Sequence, residues 1–257
     1  MIQVHASTGD KTWLQERIER KFFVLPRNID FARTLLRQLC TPDRDYASEQ
    51  INSLYFDTED LDQYERSSSG DLRKHKVRIR WYHTIADYRD EVPVFLELKS
   101  REGFASSKQR QKFMVPVHQL EPASLHNGII SASTLVEALA SFGYYLDAPV
   151  KPVIVISYWR YRFTELCTGM RVALDVAIRS TMVDRVFGYG ERELKLAGGV
   201  IEVKGRTMEL PAPLRRMRLL HIDWGRFSKY SSCLGSHLSE PGDMARLWPS
   251  GRIVSIT

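Results

Sequence analysis

The stretch KVRIRW, residues 76–81, alternates basic and apolar side chains along one segment of the chain. Because successive side chains of a β-strand point to opposite faces, the three basic residues share one face and the apolar residues share the other. The same alternation occurs in LELK, residues 96–99, and in IEVK, residues 201–204. The pattern therefore predicts strands whose polar face carries mainly Lys and Arg, with Glu as the only common acid.

Three further segments carry the same charge pattern. Their charged faces hold Glu19 with Lys21, Tyr158 with Arg160 and Arg162, and Arg171 with Asp175. For any one strand, an ordinary sheet with one face in water explains the alternation. Taken together, the strands present like charges to one another, which repel unless a polyanion lies among them. A closed or nearly closed barrel, apolar outside and basic inside, allows the apolar faces to be covered by helices. Its interior leaves room for an extended anion among the basic side chains.

The rest of the pattern predicts a mainly β, α+β chain whose helices cover the apolar side of the strands. Short segments that are rich in β-branched and aromatic residues and bounded by turn residues are typical of strands. The predicted strands are Arg17–Leu25, Gln50–Phe56, Leu72–His83, Val92–Ser100, Arg110–Val117, Pro152–Phe163, Met170–Ile178, Thr181–Phe187 and Gly199–Arg206. Apolar residues at helical spacing predict helices at Ile29–Leu39, Ser133–Phe142, Leu214–Leu220 and Phe227–Leu234.

Composition limits the classes of protein that remain. The 257 residues contain 37 Lys+Arg, 31 Asp+Glu and 43% hydrophobic residues, with a formal net charge of +6 at pH 7, which fits a folded globular chain. No apolar run approaches the roughly 18 residues of a membrane span, and the N-terminus lacks the apolar core of a secretory signal. Three cysteines, far apart and odd in number, indicate neither a disulfide framework nor a zinc site. We therefore expect a cytoplasmic protein.

Two glutamates, Glu97 and Glu202, lie on the basic faces. Carboxylates inside a basic lumen would be costly without a purpose, and hard oxygen ligands suit Mg²⁺ or Mn²⁺. Arg guanidinium groups bind phosphate oxygens in pairs, whereas Lys supplies point charges. The sequence therefore predicts a phosphate-rich, metal-bound ligand, with Glu97 and Glu202 as candidate metal ligands.

A set of short motifs, in order over about residues 17–231, carries a family resemblance. The motifs are IERKF (18–22), SLYFDT (53–58) followed by Tyr64, VRIRWY (77–82), FLELK (95–99), KQR (108–110), SYWR (157–160), RVALD (171–175), IEVK (201–204) and RFSKY (226–230). Together they resemble the triphosphate tunnel metalloenzymes, and more closely the vacuolar transporter chaperone (VTC) branch of polyphosphate polymerases. The YFDT and FSKY motifs favour this branch over the thiamine-triphosphatase and adenylate-cyclase branch.

The resemblance implies an antiparallel eight-stranded β-barrel tunnel with helices packed outside, formed by residues 17–235, with terminal extensions at 1–16 and 236–257. It implies a polyphosphate polymerase that transfers the γ-phosphate of ATP to a growing polyphosphate chain, with Mn²⁺ or Mg²⁺. By motif position, the residues that would clamp phosphates are Lys21, Arg78, Arg80, Lys99, Arg160 and Arg171. Substrate would also be contacted by Lys108 and Arg110 at one mouth, and by Tyr158, Lys204, Ser228 and Lys229. Glu202 matches the family's metal-binding glutamate, and Glu97 is the second candidate.

Other functions stay open at this point. Related tunnels hydrolyse tripolyphosphate or nucleoside triphosphates, and a non-catalytic polyphosphate- or nucleotide-binding module is a further hypothesis. Nucleic acid is not expected as a ligand, because the strongest basic positions alternate with core residues instead of forming an external basic face. Eukaryotic polymerases of this branch carry a sensing domain and membrane helices that are not recognisable in these 257 residues. A separate membrane protein is therefore a candidate partner.

Overall fold

In the part of the chain that the structure describes, ten strands form one antiparallel sheet, around which the helices pack. A computed structural model describes residues 18–82, 90–103, 105–187, 193–207, 209–222, 225 and 227–239. The strands are β1 (Ile18–Val24), β2 (Cys40–Pro42), β3 (Ser48–Asp57), β4 (Arg73–Tyr82), β5 (Glu91–Glu102), β6 (Ala105–Pro116), β7 (Lys151–Glu165), β8 (Arg171–Met182), β9 (Glu193–Lys195) and β10 (Gly199–Gly205). The α-helices are α1 (Ile29–Leu39), α2 (Asp62–Ser68), α3 (Ala132–Ser141) and α4 (Lys229–Leu238). A 3₁₀-helix runs over Pro213–Leu220.

Eight of the strands follow one another in a continuous path of backbone hydrogen bonds. The path runs β1-β10-β8-β7-β3-β4-β5-β6, and each neighbouring pair is antiparallel. The short strands β2 and β9 pair with β7 and β8. This confirms the predicted mainly β fold with eight antiparallel strands. Of the predicted closed or nearly closed barrel, the structure has the second form, because β1 and β6 end the path and the described sheet curls into a tunnel without backbone pairing between them.

Side chains bring the two ends of the path together. The Nζ atom of Lys99 on β5 lies 3.2 Å from Oε2 of Glu19 on β1, although five strands separate β5 from β1 along the path. Such a contact requires the sheet to curl until its two ends face each other across the concave side. The tunnel is therefore bridged here by an ion pair, where a closed barrel would have backbone hydrogen bonds.

Two apolar clusters cover the convex side of the sheet. In the first, α1 and the 3₁₀-helix pack on β1, β8 and β10 and bury residues such as Leu36, Leu174 and Ile201. In the second, α3 packs on β3, β4 and β5 and buries residues such as Ile79 and Leu96. Because these strands alternate apolar and charged residues, burial of the apolar side against helices directs the charged side inward.

A β-bulge divides the concave face of β8 into two zones. Between Ser157 and Trp159 of β7 the register shifts, so that Ala177 and Ile178 of β8 together lie opposite one β7 residue. Ala177 has a φ of 51°, in the left-handed region that is uncommon for residues with a Cβ. The extra residue reverses the alternation of side chains. Asp175 therefore points inward before the bulge, and Ile178 points inward after it.

Helix α4 fills the apolar zone of the concave face. Its Tyr230, Cys233 and Leu234 are buried against inward-facing residues of β3, β7 and β8. Tyr230 stacks on Tyr55 of β3 with ring centroids 4.8 Å apart, and its hydroxyl donates to Oδ2 of Asp57 at 2.5 Å. Asp57 is fully buried and also accepts three backbone N–H groups in and just before α2. This carboxylate therefore holds α2 and α4 to the same end of β3.

Several predicted elements differ from those in the structure. The predicted separate strand Thr181–Phe187 is wrong, because β8 continues through the bulge to Met182 and a 3₁₀ turn follows at Arg185–Phe187. The sequence does not predict β2 or β9, since three-residue strands are too short to show alternation. It also does not predict α2, which buries only the polar Gln63. Helix α1, by contrast, has the predicted bounds Ile29–Leu39.

Some predictions concern positions outside the described residues. These are the strand ends Arg17 and His83, Arg226 of the last motif, the extension at 1–16 and most of the extension at 236–257. In the part of the chain that the structure covers, no helix has the length and apolar character needed to cross a bilayer.

We expect Tyr230→Phe to destabilise the fold, because it removes the hydroxyl that donates to the buried Asp57. A buried acceptor that loses its donor costs about 1–3 kcal/mol, so the free energy of unfolding in urea should fall by about that amount. Tyr145→Phe is the matched control, since Tyr145 is 77% exposed. Equal stability of the two variants would show that the bond to Asp57 does not hold α4 in place.

Candidate functional site

The concave face carries a charged zone beside the apolar zone that α4 fills. We define the charged zone as the inward-facing Glu19, Lys21, Lys76, Arg78, Arg80, Glu97, Lys99, Arg160, Asp175, Glu202 and Lys204, together with Lys229 of α4. The zone holds twice as many cationic groups as carboxylates. Its members come from six strands because each strand turns its charged side inward. Two buried ion-pair centres organise it, together with ion pairs at the seam, which is the place where β1 faces β5 across the gap between the two ends of the sheet.

The first centre is built on Glu97 of β5, whose side chain is fully buried. Arg78 of β4 donates from Nε and Nη2 to Oε2 of Glu97 at 2.9 and 2.7 Å. Lys108 of β6 places Nζ 2.6 Å from Oε1, and Arg110 and Arg80 approach at 3.5 and 3.8 Å. Burial alone would raise the pKa of Glu97, but the charges of its neighbours, Arg78 foremost, hold it well below its usual range. One carboxylate therefore anchors four cationic side chains from β4 and β6.

The second centre joins β7, β8, β10 and α4. Arg160 donates from Nε and Nη2 to the two oxygens of Asp175 at 2.6 and 2.7 Å, and its Nη2 lies 3.1 Å from Oε2 of Glu202. Lys229 forms ion pairs with Asp175 and, at 3.1 Å, with Glu202. Burial alone would raise the pKa of both carboxyls, yet the charges of Arg160 and Lys229 lower it. Against the effect of burial, the same carboxylates raise the pKa of Lys229.

Glu19 and Lys21 of β1 complete the charged zone at the seam. Glu19 lies 3.4 Å from Lys21 and 3.2 Å from Lys99, and Lys204 lies 3.6 Å from Glu202. Burial and the charge of Glu202 raise the pKa of Glu19, but Lys21 and Lys99 outweigh them and bring it to about 2. The carboxylate of Glu19 is therefore ionised at neutral pH, as are those of the two centres. The excess of cationic groups over carboxylates is thus a true excess of positive charge.

The first turn of α4 begins inside the charged zone. Ser228 caps the helix by accepting a backbone N–H of the first turn, and its Oγ also accepts from Nζ of Lys76 at 2.8 Å. Lys21 donates from Nζ to the backbone oxygen of Phe227 at 3.0 Å. The unpaired N–H groups of a helix N-terminus carry a partial positive charge. The helix therefore adds to the positive potential and brings Ser228 and Lys229 next to the cations of the sheet.

Tyr158 and Arg80 connect the two centres. Arg80 donates from Nη2 to the hydroxyl of Tyr158 at 3.3 Å and also approaches Glu97 of the first centre. The ring of Tyr158 lies 4.8 Å from Nζ of Lys229 in the second centre. Burial alone would raise the pKa of Tyr158, but the charges of Arg160 and Arg80 lower it. The predicted phosphate-binding residues on β4 and β7 are thus in one connected network.

The remaining predicted binding residues lie at the borders of the charged zone. Lys108 and Arg110 are partly exposed on β6, the last strand of the path, and the guanidinium of Arg110 lies 3.5 Å from the centre of the Phe95 ring. Arg171 is exposed at the start of β8, opposite Lys204 in the register of β8 and β10. Lys108 and Arg110 thus belong to the first centre at its exposed side, whereas Arg171 lies outside both centres.

The two predicted metal ligands, Glu97 and Glu202, belong to different centres. Oε1 of Glu202 lies 3.1 Å from Lys229, and Oε2 lies 3.1 Å from Arg160, so both oxygens already face nitrogen atoms. Glu97 is surrounded by four cationic groups. Among the residues described, no three His, Cys, Asp or Glu side chains are grouped closely enough to hold a metal ion. A cation bound here would need further oxygen ligands, such as those of a phosphate chain.

Three members of the charged zone, Asp175, Lys76 and Glu19, are absent from the predicted site residues. The alternation of side chains places each of them on a charged face, so the sequence contains the signal. Their partners, however, lie on strands or helices distant in sequence: Asp175 pairs with Lys229, and Lys76 contacts Ser228. Only the folded chain shows these contacts.

The fold and a match to a family model together assign this chain to a protein family. The curled antiparallel sheet with a basic concave face is of the triphosphate tunnel type that the motifs predict. A family model described as the VTC domain matches residues 16–237, and the chain therefore belongs to the VTC domain family. This confirms the predicted superfamily, and the assignment to its polymerase branch stays a prediction.

Two solved structures from the same comparisons are similar to this chain. A candidate adenylate cyclase from Bacillus halodurans is 17% identical with a TM-score of 0.48, over 83% of this chain and 95% of its own. A candidate adenylyl cyclase from Hippeastrum, described as having a dominant triphosphatase activity, is 17% identical with a TM-score of 0.46, over 87% of this chain and 97% of its own. Comparison with curated proteins gives no match. The family assignment therefore rests on the VTC domain match.

Replacing Glu97 by Gln should destabilise the fold strongly, because four cationic groups lose their shared negative charge. Removal of one partner of a buried ion pair costs about 3–5 kcal/mol, and the free energy of unfolding at pH 7 should fall by about that amount. The pKa of Glu97 is lower in the folded chain than its ordinary value of 4.5. Its contribution is therefore present above that value and is lost as the pH falls toward the folded pKa. The difference in the free energy of unfolding between wild type and variant should therefore become smaller below about pH 4.

Glu102→Gln on the same strand is the matched control for this variant. Glu102 pairs with Arg73, but its side chain is 72% exposed, and an exposed pair contributes about 0–1 kcal/mol. Urea denaturation of the three proteins at neutral and acidic pH measures both effects. Equal destabilisation by the two substitutions, or a gap for Glu97→Gln that does not change with pH, would contradict the role of Glu97 as the anchor.

Proposed function

We propose that this VTC domain is a polyphosphate polymerase that transfers the γ-phosphate of ATP to a growing polyphosphate chain inside its tunnel. The observation that carries the proposal is the charged zone, in which twice as many cationic groups as carboxylates face one another across a curled sheet. Like charges held this close repel one another, so an extended polyanion stabilises them. Linear polyphosphate, whose negative charge repeats along its length, has the shape and charge that such a tunnel accommodates.

The arginines are the residues to which we assign the triphosphate. Arg78 is fixed by Glu97 and Arg160 by Asp175, so both guanidinium groups are oriented before a substrate arrives. Such preorganised donors stabilise developing charge without a cost of reorientation during the reaction. A guanidinium has five N–H donors, and each of these carboxylates engages two of them, which leaves donors for phosphate oxygens. Arg80 lies between the two centres and has the same role in this proposal.

The other cations extend the path of the polyanion beyond the arginines. In this assignment Lys21, Lys99 and Lys204 contact phosphates along the seam, Lys108, Arg110 and Arg171 contact them at the borders, and Ser228, Lys229 and Tyr158 contact them beside α4. Lysines suit this role because a compact point charge on a flexible stem can follow a moving chain.

The charges of the site favour phosphate over water as the nucleophile. The terminal phosphate of a polyphosphate chain is already an anion, so its attack on the γ-phosphorus needs no strong base. Hydrolysis needs a group that accepts a proton from water. The neighbouring cations lower the pKa values of Glu19, Glu97 and Glu202, which makes these carboxylates poor proton acceptors. The same cations reduce the repulsion between two anionic reactants.

A divalent cation, Mn²⁺ or Mg²⁺, is part of the proposal. When bound, such an ion would neutralise part of the phosphate charge. Glu202 would supply the protein ligand, and the oxygens of the substrate would supply the others, since the chain offers no three-residue ligand set in its described part. Glu97 has four cationic neighbours and Glu202 has three, so at either glutamate the negative charge of the substrate phosphates would also be needed to hold the ion.

The proposed reaction takes place in the cytoplasm, where ATP is available. The free thiols of Cys40, Cys167 and Cys233 are compatible with that reducing compartment. A separate membrane protein stays a candidate partner for the product chain, and nucleic acid is not expected as a ligand.

Incubation of the purified protein with ATP and Mn²⁺ or Mg²⁺ tests the proposal directly. Gel electrophoresis for polyphosphate, together with an assay for released orthophosphate, distinguishes the products. We expect long chains with ADP as the second product. Orthophosphate alone would identify a tripolyphosphatase or nucleoside triphosphatase instead, and binding without turnover would identify a non-catalytic module.

Arg80→Ala should lower the rate of ATP turnover by about 30- to 1,000-fold, because it removes a preorganised charge worth about 2–4 kcal/mol to the barrier. Arg216→Ala is the matched control, since Arg216 is exposed on the 3₁₀-helix outside the tunnel. It should leave the rate unchanged, and thermal unfolding should confirm that both variants are folded. A normal rate of ATP turnover in Arg80→Ala would contradict the proposed role of the charged zone in the reaction.

A further inference from the structure

Lys76 of β4 is a cation of the charged zone that the motif comparison leaves without a role. It shares the inward face of its strand with Arg78 and Arg80. Its Nζ donates to Oγ of Ser228 at 2.8 Å and lies 5.9 Å from the centre of the Tyr230 ring. These contacts place the ammonium group between β4 and the first turn of α4.

The contacts of Lys76 include no carboxylate. The other seven cationic members of the charged zone, such as Arg78 and Arg160, all lie within 4.0 Å of an acidic side chain. For Lys76, no acidic group among the described residues comes within that ion-pair distance. A partly buried ammonium group without a counter-charge is costly, so this position calls for an anion from outside the chain.

The groups around Lys76 reinforce this demand for an anion. The charged and titratable groups that face it are Lys21 of β1, Lys74 and Arg78 of β4, Lys99 of β5 and Tyr230 of α4. Glu19 offsets part of the charge, but it is shared between Lys21 and Lys99. Lys76 is opposite Lys99 in the register of β4 and β5, and Lys21 contacts Phe227 next to Ser228, so three lysines lie near the start of α4 with a single carboxylate among them.

We propose that Lys76, with Lys21, Lys99 and the hydroxyl of Ser228, forms an additional phosphate subsite at the start of α4. The proposal rests on the proposed function and makes it more specific, since it places one phosphate group of a linear polyphosphate against the helix end of the tunnel. The Ser228 hydroxyl, now an acceptor for Lys76, can donate to a phosphate oxygen in the occupied site because a hydroxyl serves both roles. Lys76 is then a substrate-binding residue.

The subsite has a consequence for proton uptake. Burial first, and then the charges of Lys21 and Lys99, lower the pKa of Lys76 to about 7. A bound phosphate favours the charged form and therefore raises this pKa again. Above about pH 7 the free chain must gain a proton at Lys76 when it binds the anion, so binding weakens as the pH rises, by up to about tenfold for each pH unit. Below about pH 6 Lys76 is already charged, and the linkage disappears.

Calorimetry with inorganic tripolyphosphate on the full chain tests the subsite. Titrations at about pH 8, in two buffers with different ionisation enthalpies, give the number of protons taken up on binding. Lys76→Met keeps the apolar stem and removes the charge, and comparison with wild type cancels the protons that tripolyphosphate itself exchanges. We expect wild type to take up nearly one proton more than Lys76→Met, and the variant to bind about tenfold or more weakly at about pH 6.

Two further variants sharpen the test. Lys76→Arg keeps the charge at every pH of the experiment, so it should bind tightly at about pH 8 without the extra proton uptake. Lys195→Met removes the same charge from an exposed lysine on β9, whose side chain is 67% exposed, and should behave like wild type. Because the substitution to Met removes a poorly solvated ammonium group, thermal unfolding of Lys76→Met at pH 7 should occur at an equal or higher temperature.

The outcomes separate this proposal from the proposed function. Equal affinity and equal proton uptake for wild type and Lys76→Met would overturn the subsite while leaving a polyphosphate-binding tunnel intact. Extra proton uptake that persists in Lys76→Arg would also overturn it, because another group would then be the source. If wild-type protein binds no tripolyphosphate at all, both the subsite and the proposed function fail.

Discussion

The repulsion among cationic side chains that point into one narrow space is the constraint on which the rest of the structure depends. A charge that is removed from bulk water is stable only with a partner nearby. The fold meets this need with a few shared carboxylates: Glu97 serves cations from two strands, and Asp175 and Glu202 serve Arg160 together with Lys229. These shared partners fix the side chains of distant strands relative to one another, so the geometry of the site is largely set before any ligand arrives.

The concave face is charged along one part of its length and apolar along the other. The bulge at Ala177 reverses which side chains of β8 point inward, so charged residues are followed by apolar ones on the same face. Helix α4 covers the apolar part, and its first residue, Lys229, reaches the carboxylates of the charged part. The packing of the inner core and the electrostatics of the site are therefore coupled through one helix. A substitution in the core that moves α4 would also move the cation at its end.

Much of the fold follows from the sequence, because alternation is a local property. The stretch KVRIRW already assigns each side chain of β4 to a face, and ordered motifs extend the assignment to the other strands. The sequence does not predict the bulge. One backbone conformation at Ala177 reverses, for the rest of β8, which side chains point inward. The pairing of Asp175 with Lys229 also does not follow, because it depends on how α4 packs inside the sheet. The residue types of the site could thus be predicted, but their partners could not.

The seam between the ends of the sheet changes how a long polymer can be loaded. A barrel sealed by a full ladder of backbone hydrogen bonds admits a strand-like ligand only through its open ends. Here the ion pair of Glu19 with Lys99, whose lysine side chain is 42% exposed, spans the gap. A partly exposed pair of this kind contributes about 0–1 kcal/mol and is screened by salt. Under the proposed function, this weak seam is a lateral route by which a polyphosphate chain enters the tunnel without being threaded from one end.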